Sequence, residues 1–87
     1  MFKVERSADG EVVVFALSGR ITREEVGGLH ALFEAEAADR PLVLDLQEIK
    51  LVDRDVVKFL SRCEAGGITL EHCPAYIREW IRRESAA

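Results

Sequence analysis

Eighty-seven residues hold one hydrophobic core and leave no room for a second. Hydrophobic residues at 48% and charged residues at 32% match a globular chain, which excludes disorder and low complexity. Twelve Lys and Arg against sixteen Asp and Glu leave a formal charge of −4, the reverse of the excess that a phosphate backbone demands, so nucleic acid is not an expected partner.

Phe2–Arg6 alternates with a period of two, Phe2 and Val4 against Lys3 and Glu5, which predicts an edge strand. Met1–Arg6 has neither the basic opening nor the apolar stretch of a secretory signal. The longest apolar run, Val12–Leu17, is six residues, whereas a membrane-spanning helix needs about 20. A cytoplasmic protein without membrane insertion is expected, and its two cysteines agree with a reducing compartment.

Ser7-Ala8-Asp9-Gly10 supplies the chemistry of a tight hairpin, so the second strand, Glu11–Ser18, pairs antiparallel with the first. That strand is apolar on both faces, Val12, Val14 and Ala16 against Val13, Phe15 and Leu17, as in a central strand covered on two sides. Gly19 is read as its end.

Thr22-Arg23-Glu24-Glu25 has capping-box spacing and opens a helix expected to run to about Ala38, with Val26, Leu29, Leu32 and Phe33 at three- and four-residue intervals. Gly27-Gly28 inside it costs about 1 kcal/mol per glycine relative to alanine. Close helix packing is the favoured explanation, and a partner surface the other.

Asp39-Arg40-Pro41 breaks the chain before the strand Leu42–Leu46, and a helix between two strands implies a parallel crossover. Gln47–Val52 is read as a loop. Asp53 then caps a helix whose apolar stripe is Val56, Phe59 or Leu60, and Cys63, and Gly66-Gly67 stops it. Ile68–Glu71 alternates as an edge strand. Pro74 opens a last helix with Tyr76, Ile77, Trp80 and Ile81 on one face. The order is ββαβαβα.

Chemistry-bearing clusters are sparse. Cys63, His72 and Cys73 lack the paired spacing of a zinc site, His30 has no nearby Ser or Cys, and neither glycine pair has the spacing of a phosphate-binding loop. No catalytic residue, metal or cofactor is expected. Arg78, Arg82 and Arg83 are read as cations answering the negative end of the last helix.

Three stretches resemble the sulfate-transporter and anti-sigma-factor-antagonist (STAS) domain. Val14-Phe15-Ala16-Leu17-Ser18-Gly19-Arg20-Ile21 is similar to its strand ending in Leu-x-Gly-Arg-Leu/Ile. Leu42–Leu46, with Asp53 eight residues after Asp45, is similar to its Val-Leu-Asp-Leu…Asp-Ser-Ser-Gly segment, and Gly67-Ile68-Thr69-Leu70 to its Gly-Ile/Val-x-Leu strand. The likeness spans about residues 2–83. It implies one α/β domain over residues 1–87, a mixed sheet with helices mainly on one face, and a non-enzymatic bacterial regulator that binds other proteins.

In the family's phosphorylated branch the second Ser of Asp-Ser-Ser-Gly sits at a helix N-terminus and is modified by a partner kinase. Here the segment reads Asp53-Arg54-Asp55-Val56. The resemblance puts Asp55 at the acceptor position; alternatively, Asp53 and Asp55 only cap the helix and complement its dipole. The candidate partner-binding residues are Asp53, Arg54, Asp55, Lys58 and Arg62, the three cations recurring at four-residue spacing.

The expected partner is an anti-sigma factor or kinase-like ATPase. The alternative is a transporter ATPase, with the chain as a small accessory subunit of a bacterial lipid-transport ABC complex. A homodimer through Val12–Leu17 is expected in the partner's absence, since helices on one side leave that strand's other face bare.

Overall fold

The computed structural model describes residues 2–36 and 39–86. Its elements are β1 (Phe2–Asp9), β2 (Val12–Ile21), α1 (Arg23–Glu34), β3 (Leu42–Val52), α2 (Arg54–Ala65), β4 (Thr69–Glu71) and α3 (Ala75–Ala86), in the expected ββαβαβα order. The sheet runs β1-β2-β3-β4, with β1 antiparallel to β2 and the other pairs parallel. Both predicted edge strands are edges.

Side-chain alternation sorts the sheet into two unlike faces. Val13, Phe15, Leu17 and Ile21 of β2 and Leu44 and Leu46 of β3 are buried beneath the helices, with Leu29, Phe33, Val56, Phe59, Leu60, Ile77 and Ile81. Phe33 joins the layers, its ring centroid 5.0 Å from Phe15 below and 5.9 Å from Phe59 beside it. Val12, Val14 and Ala16 point the other way and are only partly buried. The expectation that β2 is covered on both sides does not hold for the described residues. All three helices lie on the face with the large side chains, and the residues opposite are small enough for neighbours to screen in part.

Several boundaries differ from the sequence reading, mostly because glycine and bulges keep strands going. The hairpin loop is Gly10-Glu11 rather than Ser7–Gly10, since Asp9 still pairs with Val12 and Gly10 takes the left-handed φ of 66° that the first loop position needs. Gly19 does not end β2. At φ 84° it lies at a register shift, and the strand continues to Ile21.

Gln47–Val52 is strand, not loop. Between Ala16 and Arg20 of β2, β3 advances from Asp45 to Leu51, two residues more than its partner, and these bulges keep Ile49 and Val52 buried. Helix α1 stops at Glu34, where Ala35 caps it and Glu36 turns to meet Arg6; Ala37 and Ala38 lie outside the described residues. Strand β4 begins at Thr69, one residue later than expected. Tyr76 is 48% exposed and does not share the buried face of Ile77 and Ile81.

Ion pairs fasten the helices to one another and to β1. Arg6 donates two hydrogen bonds to Glu36, 2.9 and 3.0 Å, and these hold the Glu36 carboxyl below the usual carboxylate range. Arg78 on α3 meets Glu64 on α2 at 2.9 Å. It therefore belongs to a helix–helix contact and not to the C-terminal end of α3.

The two kinds of glycine predict opposite outcomes. A Cβ at Gly28 meets nothing within 4 Å, so close packing does not explain the Gly27-Gly28 pair. Gly28→Ala raises stability by about 0.5–1 kcal/mol through helix propensity. Gly19→Ala lowers it by about 1–2 kcal/mol, because alanine is strained at that φ. Urea denaturation of both variants checks the pair.

Candidate functional site

Strands β2 and β3 end in register at Ile21 and Val52, so the next residues of both chains open helices side by side. Thr22 and Asp53 both take the extended N-cap conformation. Glu25 reaches back one turn to accept from the Thr22 N–H at 2.8 Å and its hydroxyl at 3.0 Å. Asp53 does more than the expected cap. One oxygen accepts from the Val56 N–H at 3.0 Å within α2, and the other accepts from the Arg23 N–H at 2.8 Å in the first turn of α1.

This geometry separates the five sequence-predicted residues. Asp53 spends both oxygens on backbone donors and has a structural role. Arg54 donates to Glu84 at 3.2 Å, tying the start of α2 to the end of α3. Asp55 is exposed in the first turn of α2, where its charge faces the positive end of the helix.

Lys58 and Arg62 are exposed one and two turns on, and no ion pair among the described residues involves either. Glu64, on the same helix, pairs with Arg78 of α3. Arg62 borders an open cleft of about 300 Å³ between α1 and α2, with His30, Glu34, Phe59 and Cys63.

Two residues near this end escape sequence reasoning. Leu51 is 50% exposed just before the cap, and Tyr76 donates from its hydroxyl to the Lys50 carbonyl at 3.4 Å. Strand β4 pairs only with Val43–Asp45, so the last part of β3 has no strand on that side and its edge meets α3. A signal for Leu51 was present. Leu51 and Val52 are consecutive apolar residues, and an alternating strand cannot bury both.

The cysteines are chemically quiet. Burial pushes the Cys63 thiol up to about 11, and Cys73 is raised by the same cause. Among the described residues no three His, Cys, Asp or Glu side chains converge as a metal-ligand set.

Asp53→Ala removes two caps and lowers stability by about 2 kcal/mol, whereas Asp55→Ala costs only about 0.3–1 kcal/mol; chemical denaturation separates them. The Cys63 shift cuts its thiolate fraction about 100-fold near pH 8, and greater nucleophilicity offsets part of this. Alkylation of Cys63 is therefore about tenfold slower than that of a free thiol of ordinary pKa, as read by mass spectrometry of the digested protein.

No protein-family model matches the chain, and no curated protein matches it. Solved structures do. An uncharacterized protein of the DUF3478 family from Shewanella loihica PV-4, described as having a SpoIIAA-like fold, superposes with a TM-score of 0.59 at 13% identity, covering 97% of this chain and 75% of that one. The crystal structure of Mglu matches with a TM-score of 0.57 at 25% identity over 82% of this chain, which spans only 19% of the Mglu chain. The four-stranded mixed sheet, the three helices and this superposition together establish a SpoIIAA-like fold, the fold of the STAS domains that the sequence motifs resemble.

Proposed function

We propose that the chain is a non-enzymatic STAS-type regulator of the bacterial cytoplasm that binds an anti-sigma factor or a related kinase-like ATPase through the first half of α2. The observation that carries this reading is Asp55. It stands exposed in the first turn of α2, at the position where the resemblance places the phosphorylatable Ser, on a fold matched over nearly the whole chain.

A carboxylate there is stabilised by about 0.3–1 kcal/mol by the helix dipole. It has less charge and fewer acceptor oxygens than a phosphate. The surface therefore resembles the modified state in part and does not cycle. Lys58 and Arg62 extend it with two exposed cations, and exposed Tyr76 near the same end of the sheet adds apolar area of the kind that anchors interfaces. Arg54 contributes less, since Glu84 already holds it.

The missing hydroxyl acceptor equally favours the second reading, an accessory subunit bound to the ATPase of a lipid-transport ABC complex. Both partners would use the same end of α2, so one experiment serves. Purified ATPases of each class are passed over the immobilised chain and affinities measured by surface plasmon resonance.

One class binds, and Lys58→Glu with Arg62→Glu weakens that binding about tenfold or more, while Tm moves by no more than about 2 °C because exposed charges contribute little to stability. Retained affinity removes α2 as the interface, and binding to neither class overturns the reading. With a kinase-like partner and ATP, Asp55→Ser becomes phosphorylated at position 55 and the parent chain does not.

A further inference from the structure

The face of the sheet turned away from the helices has a defined pattern. Its centre is apolar and shallow: Val12, Val14 and Ala16 along β2, with Val43 beside Val14 on β3. Its rims are charged. Glu5 and Asp9 stand on β1, Asp45 and Glu48 on β3, and Glu71 on β4, against the cations Lys3 and, near the far end of β2, Arg20. Five carboxylates against two cations leave three net negative charges on this face, of the −4 formal charge of the whole chain. Most of the acidic excess therefore lies on one face.

We infer that this face is a docking surface for a basic amphipathic helix of a partner protein. Strands lie about 4.8 Å apart, so the β1 rim is about 10 Å from β3 and about 14 Å from β4. A helix is about 10–12 Å across. Laid along β2, it sets its apolar stripe on the valines, and lysines or arginines on its two flanks reach carboxylates on both rims. Val12 to Ala16 spans about 13 Å, or about two and a half helical turns.

At one end the face hollows into a depression of about 140 Å³ lined by Lys3, Glu5, Ala16, Ser18, Asp45 and Glu48, with space for a cationic side chain. A second copy of the chain is the poorer occupant, because two such faces would oppose like charges. This surface is opposite α2 and stands or falls independently of the reading above.

The probe is a fluorescein-labelled synthetic helix of about five turns, leucine and alanine on one side and lysine on both flanks, with a control carrying glutamate for lysine. Binding is followed by anisotropy at low ionic strength and mapped by amide chemical shifts on the labelled protein. The lysine peptide binds, the glutamate peptide does not, and shifts concentrate in Val12–Ser18 and at Val43.

Val14→Arg weakens binding about tenfold or more, and Glu5→Gln with Glu71→Gln about fivefold. The second pair is exposed and does not depend on the core, so it keeps the test sound if Val14→Arg fails to fold. Lys58→Glu with Arg62→Glu leaves binding of the probe undiminished. Shifts confined to the helices, equal binding of both peptides, or a sedimenting mass of two chains whose contact buries these same strands would each overturn the proposal.

Discussion

Asp53 has two carboxylate oxygens and uses each on a different helix. Because β2 and β3 run parallel and end in register, the backbone donors opening α1 and α2 come close together, where two positive helix ends would otherwise repel. One carboxylate between the Arg23 and Val56 N–H groups answers both. The consequence reaches through the layer. Fixing the two starts sets the helices side by side, so that Phe33 of α1 stacks on Phe59 of α2 and tilts against Phe15 below. The aromatic column and the capping carboxylate are thus two ends of one constraint, the lateral spacing of α1 and α2.

That constraint leaves the sheet one-sided. Three helices of twelve residues each span one face of a four-stranded sheet and no more. Strand β2 is apolar from Val12 to Leu17, but its faces differ in bulk there: Phe15 and Leu17 go under the helices, and Val12, Val14 and Ala16 go opposite. Small side chains between charged rims tolerate water better than large ones, because the apolar area they expose is small. Size, not polarity, tells the two faces apart.

Element order and helix starts were legible in the sequence because they rest on local chemistry: the Thr22–Glu25 spacing, Asp53 before an apolar stripe, Gly66-Gly67 after it. Strand lengths were less legible. A glycine at the end of an apolar run reads as a stop, yet Gly19 uses its positive φ to absorb a bulge and let β2 continue. The polar segment Gln47-Glu48 reads as a loop, yet the bulges of β3 carry it past β2 and return Ile49 and Val52 to the core. The pairs Arg6–Glu36, Arg23–Asp53 and Arg54–Glu84 each join residues 30 apart, and no local pattern announces such a contact. For the same reason the sequence could not divide Asp53 from Asp55.

That division bears most directly on function. Two carboxylates two residues apart at one helix start look interchangeable as dipole partners, but their positions on the turn differ. Asp53 at the cap faces inward across the gap to α1, and Asp55 in the first turn faces solvent. A protein that must present negative charge at this helix end therefore needs both. One neutralises the donors that would otherwise draw the exposed carboxylate onto the backbone, and the other is left available. Removing the inner carboxylate would loosen α1 and α2 together and blur whatever the outer one displays. Charge presentation at the tip of α2 is in this way built on the same hydrogen bonds that hold the two helices in place.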